Sequence, residues 1–160
     1  MSERQDPENT LVMDTTKGRV IIALRPDLAP QHVARIKELV REEFYDGLVF
    51  HRVIDDFMAQ GGDPTGTGTG GSGRKLKAEF SGEKHLLGTC SMARSNDPDS
   101  ADSQFFICLN EAPWLNKQYT VWGQVIEGME AVAQFERGEP VDEPDSIVTV
   151  RVLADIQQAA

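Results

Sequence analysis

The sequence predicts a mainly β domain of the barrel or sandwich kind with two helices, and three observations carry that expectation. Short apolar runs of strand-like composition recur along the whole chain, about eight in number. Turn-forming residues separate them. Only two segments read as helices, and no linker or internal repeat divides the chain.

The elements follow in order. The opening residues 1–9 are polar and are expected to form a frayed tail, leaving one domain over 10–160. The runs TLVMDTT and RVIIALR flank Lys17-Gly18, a hairpin signal. Pro30 suits the first turn of a helix, and Val33, Ile36, Leu39 and Val40 share one face of it. Gly47 lies just past its end. LVFHRVI and FMAQ read as strands, followed by a glycine-rich loop over 61–73 with no apolar face to bury. LLGTCSMA, SQFFICLN and YTVWGQVI are further strands. A second helix is expected over GMEAVAQFERG, closed by Gly138, after which Pro140 and Pro144 break the chain. IVTVRVLAD ends it as an alternating strand.

Bulk composition excludes several functions. Apolar residues form 39% of the 160-residue chain, so it can build a core. The net charge of −10 argues against affinity for nucleic-acid backbones or anionic membranes, while leaving neutral and basic peptides as partners. No early segment combines basic and long apolar stretches, which points to a cytoplasmic, reduced protein. Cys90 and Cys108 sit in apolar runs and read as buried small side chains.

Familiar catalytic signals fail. Gly66, Gly68 and Gly71 match G-x-G-x-x-G, but no apolar strand precedes them and no helix follows. His32, His51 and His85 are scattered, with no metal-ligand spacing. The stretch SNDPDSADS lacks the glycine and terminal glutamate of a calcium loop and reads as a solvated acidic turn. There is no Gly-x-Ser-x-Gly elbow.

Three segments remain. FHRVIDDFMAQGGD, SMARSNDPDSADSQFFICLN and WLNKQYTVWGQVIEGM each place long apolar side chains beside a hydrogen-bonding group. Together they resemble the signature regions of the cyclophilins, and the match runs from about residue 10 to residue 155. Within that family the chain is similar to the compact bacterial cytosolic form. The resemblance implies an eight-stranded antiparallel β-barrel capped by two helices, with peptidyl-prolyl cis/trans isomerase activity and no cofactor.

The resemblance also implies roles for single residues. Arg52 matches the catalytic arginine. Phe57 and Met58 match the walls of a proline pocket, Phe106 its floor and Leu115 another wall. Gln60 matches a residue that orients Arg52 and touches the substrate backbone. Ala93 and Gln104 match other groove positions, and Trp114 matches the tryptophan associated with cyclosporin binding. His51 matches a supporting histidine beside the arginine. Tyr119 stands where eukaryotic members usually carry histidine, and Arg94 replaces an asparagine that binds the substrate backbone. Both departures follow the bacterial pattern and imply weak cyclosporin binding at most.

This chemistry needs no nucleophile. Its expected partners are proline-containing peptides and unfolded or folding proteins, met by a monomer. The competing class is a non-catalytic binder of proline-containing segments on the same scaffold; Arg52 favours the enzyme, because a binder could manage without it. A general holdase chaperone would need an exposed apolar stretch, and none lies outside the strands and helices.

Overall fold

The computed structural model describes residues 6–66 and 70–159. Its eight strands are β1 (Thr10–Thr15), β2 (Gly18–Leu24), β3 (Arg52–Ile54), β4 (Met58–Gly61), β5 (Thr89–Met92), β6 (Phe105–Cys108), β7 (Val121–Glu127) and β8 (Ile147–Val152). They form one antiparallel sheet in the order β3-β4-β6-β5-β7-β2-β1-β8. The sheet curls until its ends approach. Residues beside the two outer strands close the seam: Gly47 N donates to Ile147 O, Phe50 N to Asp145 O and Ile147 N to Leu48 O.

Three helices accompany the sheet: α1 (Pro30–Arg41), α2 (Met129–Val132) and α3 (Leu153–Ala159). Helix α1 buries the predicted stripe of Val33, Ile36, Leu39 and Val40. No side chain at Ala29 caps its start. The carboxylate of Glu79, from a distant loop, accepts from the Gln31 and His32 backbone N–H groups instead, at 3.1 and 2.9 Å.

The buried apolar residues form two clusters on opposite faces of the sheet. Leu11, Ile22, Val53, Ala59, Phe105, Ile107 and Trp122 belong to the large interior core. Met58, Phe106, Cys108, Ala112 and Leu115 form a smaller cluster apart from it. Strand alternation explains the split, because successive side chains of one strand point to opposite faces. Strands β4 and β6 are apolar on both faces, so each feeds both clusters.

Several expectations need correction. The closing strand ends at Val152, opposite Leu11, and Leu153 begins a third helix from residues with better helix propensity. The expected helix over 128–138 is one turn, Met129–Val132, because the chain then turns to bury Phe135. Strand β5 begins only at Thr89, since Gly88 has φ +85° and Leu86 and Leu87 lie exposed before it. Within the expected N-terminal tail, Pro7–Asn9 form a 3₁₀ turn capped by Asp6, and Glu8 pairs with Lys37 and Arg41. Residues 1–5 of that tail and Gly68 of the glycine motif lie outside the described residues. The acidic stretch is not wholly solvated: Asp102 accepts from Ser72 N and Oγ, both at 2.6 Å, and from Gly73 N.

Candidate active site

The site lies over the outer face of β3, β4 and β6, and the register of these strands assembles it. Arg52 pairs with Gln60 across β3 and β4, and Gln60 with Phe106 across β4 and β6. Cross-strand partners point to the same side. Residues from three strands therefore stand in a row. Met58 pairs with Cys108 in the same way and continues the apolar floor. Phe57 sits at the turn entering β4, where its N–H donates to Ile54 O.

These side chains enclose a pocket of about 140 Å³. Met58, Phe106 and Leu115 form its buried apolar part. Phe57, Ala93 and Tyr119 line the sides, with Arg52, Gln60 and Arg94 as the polar groups. The Phe106 ring packs edge-on to Tyr119 at 5.8 Å and parallel to the His85 ring at 6.2 Å. A second cavity of about 280 Å³ shares Gln60, Ala93 and Arg94 with the first and extends to Gln104, Asp102 and Lys75.

A chain of hydrogen bonds fixes the polar groups. Arg52 Nη1 donates to Gln60 Oε1 at 3.1 Å. Gln60 Nε2 donates to Gln104 Oε1 at 2.9 Å, and Gln104 Nε2 to the Gly70 carbonyl at 3.0 Å. On its other side, Arg52 Nε donates to Glu139 Oε2 at 2.7 Å. Arg94 lies over the Tyr119 ring, 4.5 Å from its centre, and donates through Nε and Nη2 to the Gln118 carbonyl. The two positions that depart from the eukaryotic pattern thus contact each other.

Among the described residues that line the first pocket there is no Cys, Ser, His, Asp or Glu. Burial pushes the Cys108 thiol up to about 12. His85 is held below its usual value by burial, against the opposing effect of its Asn116 contact. His51 is likewise lowered by burial, and its Nδ1 has no hydrogen-bond partner among the described residues. No cluster of metal-binding side chains occurs among the described residues. What the arrangement offers is a positioned guanidinium beside a cavity with an apolar floor.

Residues 10–154 match the family model described as cyclophilin type peptidyl-prolyl cis-trans isomerase/CLD. The chain belongs to the cyclophilin family. Among curated proteins, a probable peptidyl-prolyl cis-trans isomerase of Brucella suis is 48% identical over 94% of this chain and 85% of its own length. One from Synechococcus elongatus is 40% identical over 90% of this chain and 96% of its own. A cyclophilin crystal structure from Hirschia baltica superposes with a TM-score of 0.87 at 32% identity, covering 94% of this chain and 76% of that one. A Cryptosporidium parvum cyclophilin crystallised with the dipeptide Ala-Pro gives a TM-score of 0.84 at 28% identity, covering 89% and 98%.

Eight of the residues expected at a cyclophilin site line the first pocket together: Arg52, Phe57, Met58, Gln60, Ala93, Phe106, Leu115 and Tyr119. Gln104 instead lines the second cavity. Trp114 is 62% exposed and does not line the pocket, but its ring packs against Phe57 at 5.6 Å. His51 is buried beside Arg52 in sequence but does not line the pocket. Sequence reasoning missed Glu139. Its signal was Gly138-Glu139-Pro140, which reads only as a helix stop until the chain is folded.

Proposed function

We propose that this cyclophilin accelerates rotation about X–Pro bonds by donating a hydrogen bond from Arg52 to the prolyl nitrogen, with the proline ring held against Phe106, Met58 and Leu115. The observation that supports this most is the tethered guanidinium beside a pocket with an apolar floor of Met58, Phe106 and Leu115, whose described lining includes no Cys, Ser or His. Amide resonance sets the rotational barrier at about 18–20 kcal/mol. Midway through rotation that resonance is lost and the nitrogen gains a lone pair. A fixed donor aimed at the lone pair binds the transition state better than either ground state.

Raising a background of about 0.01 s⁻¹ to about 1,000 s⁻¹ lowers the barrier by about 7 kcal/mol. One charged donor in a sheltered site contributes about 3–4 kcal/mol. Positioning of the ring and exclusion of water supply the rest. The substrates are proline-containing peptides and folding chains, a reading supported by the Ala-Pro dipeptide present with the Cryptosporidium relative. The free, buried thiols of Cys90 and Cys108 fit action in the reducing cytoplasm.

The test is cis/trans exchange in an Ala-Pro-Phe peptide, followed by NMR with catalytic amounts of protein. Acceleration well above background supports the enzyme. A bound peptide that exchanges at the background rate would make the chain a proline-segment binder.

A further inference from the structure

Arg52 is held by two acceptors, and only Gln60 belongs to the strands that build the pocket. The other, Glu139, comes from the connection between α2 and β8, and three backbone hydrogen bonds bring it there. Val53 N donates to Gly138 O at 2.8 Å, and Gly138 N returns a bond to Val53 O at 2.9 Å. Val141 N then donates to His51 O at 2.9 Å. The connection is therefore pinned to β3 and the residue before it, and Glu139 arches over Arg52 between the anchor points. The arch is tight. A Cβ on Gly138 would lie 2.7 Å from the Pro140 carbonyl oxygen and 2.8 Å from Val141 Cα. Upstream, Arg137 braces the same segment by donating to Asp55 and to the Phe135 carbonyl.

The two acceptors take different nitrogens of the guanidinium, Nε for Glu139 and Nη1 for Gln60. Because the group is planar, two such bonds on separate nitrogens fix both its position and its plane. Among the described residues Nη2 has no hydrogen-bond partner, so its donors remain available to a substrate.

We propose that Glu139 is a positioning residue for the isomerase reaction, fixing the Arg52 guanidinium against Gln60 so that Nη2 is presented to the turning bond. This rests on the isomerase reading given above. A long arginine side chain that is 38% exposed would otherwise sample several rotamers, and only some would present the donor. Glu139 touches no substrate in this scheme. It reduces the reorganisation needed at the transition state, so its effect falls on kcat rather than on peptide binding.

The experiment uses the full chain and the Ala-Pro-Phe exchange assay, with Glu139→Ala and Glu139→Gln each made alone and with Arg52→Ala. Glu139→Ala is expected to lower kcat about threefold to tenfold while KM moves less than about twofold. Glu139→Gln, whose amide oxygen still accepts from Nε, is expected to restore kcat to within about twofold of the parent. In the Arg52→Ala background, Glu139→Ala should have no further effect, because its only route to the reaction is gone. A kcat unchanged or raised in Glu139→Ala, or an equal loss in both backgrounds, overturns the proposal. A readout independent of activity is the ¹⁵N–¹H signal of Arg52 Nε in the parent protein. It should exchange slowly with water and speed up in Glu139→Ala; fast exchange in the parent would also overturn it. If the parent protein shows no acceleration, the isomerase reading fails while the Nε–H signal still decides whether the pair exists.

Discussion

Replacing Gln60 by alanine tests whether the amide relay beneath the pocket matters to the reaction. The side chain accepts from Arg52 Nη1 and donates to Gln104 Oε1, so its loss frees one edge of the guanidinium and leaves one amide oxygen without its donor. A hydrogen bond to a charged group is worth about 1.5–3 kcal/mol when sheltered. Arg52 is 38% exposed, so solvent screening brings the figure toward the low end. Glu139 still holds Nε, which limits how far the group can swing. The remaining loss is on the order of 1–2 kcal/mol, which lowers kcat about fivefold to thirtyfold. NMR exchange measured across peptide concentrations separates kcat from KM. Gln60→Glu is the control: it keeps an acceptor for Arg52 but loses the donor to Gln104, so it should recover most of kcat if orientation of Arg52 is what matters. A Gln60→Ala variant with parental kcat, or a Gln60→Glu variant as damaged as Gln60→Ala, would refute the reasoning.

Two further perturbations address the pocket and the fold. Phe106→Ala removes the floor shared with Met58 and Leu115, and is expected to weaken peptide binding by about tenfold or more. It should also cost about 3 kcal/mol of stability, at the low end for such truncations because the gap opens to the pocket; peptide titration and thermal unfolding measure both, and parental affinity would contradict the assignment. Stability should also fall in mild acid. Burial lowers the pKa of His32, His51 and His85 below the usual value of about 6.5, so near and below that pH the unfolded chain binds protons the folded chain does not. The unfolding free energy is therefore level above about pH 7 and falls as pH drops through about 6.5, by up to about 1.4 kcal/mol per pH unit for each histidine, and the melting temperature falls with it. A melting temperature that rises on acidification from pH 7 to 5.5 would reverse the sign and contradict this.

The strands and α1 were legible because their patterns are local. Val33, Ile36, Leu39 and Val40 announce one helix face, and the β1–β2 hairpin follows from Lys17-Gly18 between two apolar runs. The end of β8 was not legible, because the run from Ile147 to Asp155 stays partly apolar, while the pairing stops at Val152 opposite Leu11 and Leu153 opens a helix. Most of the site could be found from three segments whose residues match a family pattern. Their alternation alone would not have revealed it: in β6, Phe105 and Phe106 look alike in sequence, yet one enters the barrel core and the other the pocket. The polar ties were hidden for a related reason. Glu79 caps α1, Asp102 holds Ser72 and Gly73, and Glu139 meets Arg52 only after distant segments have come together. No local spacing encodes such contacts.

On the proposed mechanism, the Arg52 guanidinium stabilises the turning bond. The most direct test is the exchange rate of the Ala-Pro-Phe peptide with Arg52→Ala, measured beside the affinity of the same peptide. Arg52→Ala is expected to lower kcat by about two to three orders of magnitude, from one charged donor worth about 3–4 kcal/mol, with peptide affinity changed by less than about threefold. A variant that binds the peptide and turns it over at the parental rate would show that the chemistry lies elsewhere.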